Sequence, residues 1–423
     1  MSESCEPIRI LHVFGKLGLG GAESRTVDLF RNIDRRRVQF DFLVHVEADA
    51  TGKKCPSSDE LMKVREQEYF DNSVKKLGGR IYAIPRFNGK NFLDYKKAVD
   101  KFFKEHKGEW KAVHGHMTST AAFYLPIAKK NGVPITIAHA RSAGTDPGLK
   151  GFVTKVIRKP LQKAKTTDFR FACSGEAGVA VFGQKLMDEG QVKIIPNAID
   201  LERFVYNPEV REKIRTECGV GNAIVIGHVG RFHYAKNHEF LIRVFACIGR
   251  LLDNDDNNEY SIIHGMRVRL MLLGEGSLME STRELARELK VEDKIMFMGN
   301  KSNANEYYQA MDYFCFPSRY EGLPGTVVEA QAAGIQCLIS DTITTDVDAT
   351  ELVSRMSIED DPMNWAKKIL NDLLLRDADH MTAFSAGNRA ESSEYIIDKI
   401  KKAGFDVKAQ ARMLASFYEK GRF

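Results

Sequence analysis

Tyr313-Phe-Cys-Phe-Pro-Ser-Arg-Tyr-Glu-Gly-Leu-Pro-Gly-Thr-Val-Val-Glu329 runs from an apolar strand-like segment through a glycine-rich turn into an apolar helix-like segment. That order is the unit of a parallel α/β sheet, and such sheets place their ligands at the turn that follows the strand. Two carboxylates stand in this stretch, Glu321 in the turn and Glu329 in the helical run. Carboxylates are strong acceptors for sugar hydroxyls, and the free N–H groups of a helix start suit phosphate. One segment offering both points to a nucleotide-sugar pocket.

The alternation extends outward from this stretch. In the first half, Ile8–Phe14, Phe40–Val46, Arg80–Ile84, Ala112–His116, Pro134–Ala138 and Phe169–Cys173 read as strands. Helical patterns such as Glu23–Arg31 and Leu93–Lys107 lie between them. The pattern restarts near Ala223, with strands at Ala223–Val229, Val268–Leu273, Ile295–Met298, Tyr313–Phe316 and Cys337–Ser340. This predicts an α/β chain of two doubly wound, Rossmann-like units, joined around Pro196–Pro208, with a late helix over Val407–Tyr418. The polar tract Asp253–Glu259 reads as a solvated loop.

A length of 423 residues allows two or three domains. No apolar run approaches the roughly 18–20 residues that span a bilayer. The first residues lack the basic and apolar regions of a signal peptide. Seven dispersed cysteines with no Cys-x-x-Cys pair fit a reducing compartment. Cys173, Cys315 and Cys337 fall in strand-like runs and read as core thiols. The net charge of +5 divides into +12 over residues 1–197 and −7 over the remainder. A basic N-terminal half suits an anionic membrane surface or nucleic acid. The chain shows no zinc-ligand spacing, no RNP-like aromatic motif and no heptad array to favour nucleic acid.

Several other turns fall where strands end. Gly18-Leu-Gly-Gly-Ala-Glu23 follows the first strand, and fits either a close approach to phosphate or a plain strand-to-helix connection. His114-Gly-His116 and His139-Ala-Arg141 end the fourth and fifth strands, each equally readable as structural. Gly230-Arg231-Phe-His-Tyr-Ala-Lys236-Asn237 sets two cations across one turn, an arrangement able to clamp a diphosphate. Gly274-Glu-Gly276 is another glycine turn at the same sheet edge. Gly148–Lys165 carries apolar residues at helical spacing among six cations and no acid. It fits a membrane-surface helix and a core-packing helix with a solvated face equally well.

In that order, Gly20-Gly21, His116, Ile195-Pro-Asn-Ala-Ile-Asp200, Gly230-Arg231 with Lys236-Asn237, Gly274-Glu-Gly276 and Glu321 with Glu329 resemble the family 4 glycosyltransferases of the GT-B fold. The likeness runs from about Ile8 to Asp341. Through Gly227-His-Val-Gly-Arg-Phe232 and Glu329-Ala-Gln-Ala-Ala-Gly334 the chain is most similar to bacterial capsule and exopolysaccharide enzymes.

The resemblance implies two Rossmann-like domains facing across a cleft. An acceptor-binding domain would span 1–197 and a nucleotide-sugar-binding domain 198–395, with a helical segment over 396–423 packing back on the first. It implies that Glu329 holds the ribose hydroxyls, Glu321 the donor sugar, and Arg231 with Lys236 the diphosphate. His116 would contact the transferred sugar near the reacting carbon. Gly322 and Leu323 would offer backbone N–H groups, Gly20 and Gly21 would border the donor phosphates, and Gly230, Asn237, Gly274 and Glu275 would complete the donor site. Arg141 and His139 are weaker acceptor-side candidates.

The implied reaction moves a hexose or N-acetylhexosamine, with retention, from a UDP-sugar to a lipid-linked oligosaccharide. No cofactor and no metal are expected. The implied place is the cytoplasm, peripheral to the inner face of the membrane, with the basic N-terminal domain toward anionic lipid and no nucleic-acid partner. A sugar-nucleotide epimerase, a phosphorylase or a non-catalytic sugar-nucleotide-binding protein are the rival readings.

Overall fold

The computed structural model describes residues 6–142, 149–163, 165–253, 260, 267–378 and 389–423. The chain divides into two compact units, Met1–Ala198 with Asp406–Phe423, and Ile199–Phe405. Each is a Rossmann-like α/β layer structure of the GT-B type.

The first unit holds a seven-stranded sheet of β1 (Ile8–Val13), β2 (Val38–Val46), β3 (Ile81–Pro85), β4 (Ala112–Gly115), β5 (Ile135–Ala140), β6 (Phe169–Ala172) and β7 (Lys193–Ile194). The spatial order is β3-β2-β1-β4-β5-β6-β7, and each neighbouring pair is parallel. The order reverses between β1 and β4, where His12 registers with His114. A switch of this kind opens a crevice at the carboxyl ends of the strands. Phe30, Phe40, Phe42 and Phe171 fill one core against this sheet.

The helix Val407–Lys420 closes the same core. Val407, Ala411, Leu414, Ala415, Phe417 and Tyr418 fall on one face at helical spacing and are buried there. Asp406 caps it by accepting from Lys408 N–H. The chain returns to the first unit at Asp406 rather than at 396. The preceding helix, Arg389–Lys402, stays with the second unit because buried Arg389 donates to the carbonyls of Ala333 and Met311.

The second unit holds β8 (Ile224–Val229), β9 (Val268–Leu273), β10 (Ile295–Gly299), β11 (Tyr313–Phe316), β12 (Gln336–Ser340) and β13 (Val353–Met356), in the order β10-β9-β8-β11-β12-β13. Its core joins Ile226, Leu270 and Cys315 of the sheet to Leu241, Ile248, Trp365 and Ile369 of the helices. Cys173, Cys315 and Cys337 are buried free thiols, and burial pushes those of Cys315 and Cys337 up.

Two strands, β7 and β13, escape the sequence pattern. β7 is two residues long and β13 carries Ser354 and Arg355. The polar tract after Asp253 lies outside the described residues, as do Gly148 and Ala164 of the basic segment. The rest of that segment forms the helix Leu149–Arg158 and a 3-10 turn at Lys159–Gln162. Phe152, Val153 and Val156 are exposed there (Phe152 by 66%), so these three do not pack into a core. Among the described residues, no helix is long and apolar enough to cross a membrane.

Candidate active site

In the second unit, the loops after β8, β9 and β11 converge. Gly230 N–H donates to the Leu273 carbonyl at 2.9 Å and Phe232 N–H to the Glu275 carbonyl at 3.0 Å, lacing two loops together. The glycines make that approach possible. A Cβ on Gly274, whose φ is +134°, would stand 2.1 Å from the Gly230 carbonyl oxygen. One on Gly276 would stand 2.3 Å from that of Phe232. Glu275 accepts from Asn300 Nδ2 at 2.9 Å. Asn237 takes the left-handed conformation, φ 54°, which ends the short turn Tyr234–Lys236.

Lys236 Nζ lies 2.6 Å from Glu321 Oε1 and 4.5 Å from the centre of the Phe316 ring. The cation and the carboxylate that the sequence assigns to neighbouring parts of a ligand therefore meet each other. Arg231, in the same loop as Lys236, is exposed and makes no ion pair among the described residues. On the segments that carry the pair, Ser318 Oγ, Thr326 Oγ1 and His228 Nε2 are buried without a hydrogen-bond partner among the described residues. Buried polar atoms are seldom left so, and these offer donors and acceptors to a bound group.

Gly322 and Leu323 are buried in the turn that leads to the helix Gly325–Ala332. Pro324 occupies the cap position and supplies no side-chain hydrogen bond to the first turn, whose N–H groups suit an anion. Glu329 sits within this helix, 6% exposed, and accepts from the Tyr308 hydroxyl at 2.8 Å. Tyr308 had no signal in the sequence beyond a helical apolar position.

In the first unit, Gly20 precedes the helix Gly21–Asn32 with an ordinary extended φ of −122°. A Cβ there would come within 2.3 Å of the Glu23 carboxylate, the far end of a flexible side chain that can swing away. A Cβ on Gly21 would meet nothing within 4 Å. This helix start is open.

His116 is 8% exposed at the end of β4, stacked on Phe14 with ring centres 4.4 Å apart. Its Nδ1 receives Arg141 Nε–H at 3.2 Å and its Nε2 lies 2.9 Å from His12 Nδ1. Arg141 also donates to Asn197 Oδ1 at 2.8 Å. A second pair lies alongside, with His114 Nε2 2.9 Å from His139 Nδ1 and His114 Nδ1 2.7 Å from the Tyr418 hydroxyl. Burial pulls His12 down to about 3, with Arg141 adding to the effect, and holds His114, His116 and His139 well below the ordinary value. These rings are neutral near pH 7. His139 is 0% exposed and its Nδ1 pairs with His114. His12 was missed, because a lone histidine in an apolar strand carries no mark of its partner.

Nitrogens of His12, His114 and His116 lie within 4.8 Å of one another, and imidazoles are zinc-type donors. Two of the three already pair with each other, and Arg141 sets a cation against His116. In the spacing Asp346-x-Asp348, often a metal motif, the Asp348 carboxylate is spent locally in a pair with Arg355 at 2.7 Å.

Comparison with known proteins gives the chain's relatives. Residues 223–374 match the family model described as Glycosyl transferases group 1. The chain is 31% identical over 414 residues to EpsF of Bacillus subtilis (strain 168), a protein named as a glycosyltransferase, covering 97% of this chain and 96% of EpsF. It is 24% identical over 282 residues to an Escherichia coli UDP-Gal:alpha-D-GlcNAc-diphosphoundecaprenol alpha-1,3-galactosyltransferase, covering 64% of this chain and 68% of that one. Among solved structures, Anabaena HepE in complex with UDP and glucose shares the fold at a TM-score of 0.71 and 16% identity, over 98% of this chain and all of that one.

Proposed function

This chain belongs to the group 1 glycosyltransferases, and on that premise we propose that it moves a hexose or N-acetylhexosamine from a uridine diphosphate sugar to a lipid-linked saccharide, with retention of configuration. Glu329 takes the ribose hydroxyls, Lys236 and Arg231 the diphosphate, Glu321 the sugar and His116 its reacting side. The observation that carries this reading is the Lys236–Glu321 pair at the crossing of two glycine-laced loops, with buried Ser318, Thr326 and His228 atoms left for a ligand. Cations at that place stabilise charge developing on the departing diphosphate. The reading needs neither metal nor cofactor. The E. coli relative, named for a diphosphoundecaprenol-linked acceptor, supports a lipid-linked acceptor in capsule or exopolysaccharide synthesis.

The acceptor places the enzyme in the cytoplasm at the inner membrane face. The basic first unit, with Phe152, Val153 and Val156 exposed beside Lys155 and Lys159, supports contact with anionic lipid there.

The deciding experiment incubates purified protein with a panel of nucleotide sugars, with and without undecaprenyl-diphosphate-linked saccharide. Release of nucleoside diphosphate that requires the acceptor is expected. Release or epimerisation of donor without acceptor would favour the epimerase, and no turnover with intact donor binding would favour a non-catalytic binder.

A further inference from the structure

We propose that His12 is a positioning residue, which accepts the Nε2 proton of His116 and so holds that ring in the one tautomer whose Nδ1 is an acceptor. The argument starts at Arg141. A guanidinium only donates, so the 3.2 Å contact from Arg141 Nε makes His116 Nδ1 a lone-pair acceptor. A neutral imidazole with a bare Nδ1 carries its proton on Nε2. That proton points at His12 Nδ1, 2.9 Å away in a fully buried contact. His12 Nδ1 must then be bare as well, and its own proton sits on Nε2.

The chain of bonds stops there, because His12 Nε2 is buried with no hydrogen-bond partner among the described residues. An orphaned polar group among Phe40 and Phe42 costs stability, and an apolar side chain would fill the same place without that cost. What the imidazole provides in return is the tautomer of His116.

The two bonds to His116 are unequal. The one to His12 is buried, while the one to Arg141 is longer and only partly buried. A hydroxyl reaching His116 therefore displaces or shares the Arg141 contact and meets a lone pair, so the histidine serves as a hydrogen-bond acceptor. This consequence rests on the proposed contact between His116 and the transferred sugar; the tautomer does not. The other groups facing His116 are Phe14 after β1, His114 on β4, and His139 and Arg141 from β5 and its end. Asp41 of β2 acts on His12, and Tyr418 touches His114.

The test uses full-length protein with 15N-labelled histidine, in which two-bond 15N–1H spectra show which nitrogen of each ring holds the proton. His116→Gln assigns the His116 signals. The expected wild-type pattern near neutral pH is a His116 proton on Nε2. Because Arg141 Nε also fixes His116 Nδ1 as an acceptor, the tautomer is read in an Arg141→Met background, where adding His12→Leu should mix the two His116 tautomers. In the otherwise wild-type chain His12→Leu should lower kcat about tenfold or more at unchanged donor KM, since an arriving hydroxyl displaces Arg141. His12→Asn keeps an acceptor oxygen near the Nδ1 position and should restore both. A His116 proton on Nδ1 in the wild type overturns the proposal without recourse to any variant. So does an Arg141→Met, His12→Leu double variant whose His116 tautomer is unchanged from Arg141→Met, or a His12→Leu protein whose kcat is unchanged. The spectrum needs no substrate, so failure of the sugar-transfer reading would show separately, as absent turnover in a wild type with the expected tautomer.

Discussion

Lys236 Nζ stands 2.6 Å from Glu321 Oε1, so the phosphate-side cation and the sugar-side carboxylate of the proposed donor site form a single ion pair. Both side chains are mostly covered, 18% and 16% exposed, which keeps their interaction from full solvent screening. A diphosphate must compete with Glu321 for Lys236. Glu321→Gln should therefore bind nucleoside diphosphate several-fold more tightly by calorimetry, while kcat falls by about 10²–10³. Lys236→Met should lose both binding and turnover. Weaker nucleoside diphosphate binding in Glu321→Gln would show that the pair does not regulate the cation.

Glu329 is the second carboxylate, and its partner is internal. Tyr308→Phe removes the 2.8 Å bond to its Oε2, and should cost about 1.5–3 kcal/mol in urea unfolding of the second unit. Glu329→Ala should abolish the rise in melting temperature that a UDP-sugar gives the wild type by mass action. Retention of that rise would place the ribose elsewhere.

How much of this was legible in the sequence depends on distance along the chain. The runs Val268–Leu273 and Tyr313–Phe316 show as strands because each is a short, mostly apolar run between turn signals. The turn glycines stand out because they follow those strands. His12 and His116, 104 positions apart, meet only because β1 and β4 are neighbours at the switch of strand order. Neither periodicity nor composition encodes that adjacency. The same holds for Lys236 with Glu321, where each loop was recognisable and their pairing was not.

Among the described residues, seven buried histidines make stability depend on pH. Burial is the largest cause for His12 and His228, each lowered to about 3, for His45, lowered to about 4, and for His114, His116, His139 and His238, all well below the ordinary value. In the unfolded chain these groups titrate near 6.5. The unfolded state then binds more protons than the folded state as pH falls below that point, so stability drops. Their contribution is full above about 6.5 and fades toward the folded values. Melting temperature should fall steadily from pH 6.5 to 4, before ordinary carboxylates titrate fully. A flat profile across that interval would mean that the rings are hydrated and free to charge.

Gly274 and Gly21 look alike in sequence and differ in what confines them. Gly274→Ala must fit a Cβ 2.1 Å from a backbone carbonyl at φ +134°, and should unfold or rearrange the loops at a cost of at least about 1–3 kcal/mol. Gly21→Ala meets open space at a helix start, and should be neutral or stabilise by up to about 1 kcal/mol. If the open side of Gly21 borders donor phosphates, that stabler variant should nonetheless show a raised donor KM. Stability by chemical denaturation and KM by steady-state kinetics separate the two roles.

The helix Leu149–Arg158 is where the proposed membrane contact of the basic first unit can be tested. Phe152, Val153 and Val156 are 66%, 45% and 46% exposed, with Lys155 and Lys159 exposed beside them. Burying one such side chain in a lipid interface is worth about 1.5 kcal/mol, roughly tenfold in partitioning. Wild-type protein should float with vesicles containing phosphatidylglycerol and be released by salt, because the lysines act through a screened field. Phe152→Ser should cut the bound fraction without changing melting temperature, since the ring touches no core. Lys155→Glu should do so only at low salt. Equal binding to neutral and anionic vesicles, or none to either, would remove the membrane from the proposal and leave the exposed apolar residues to another partner.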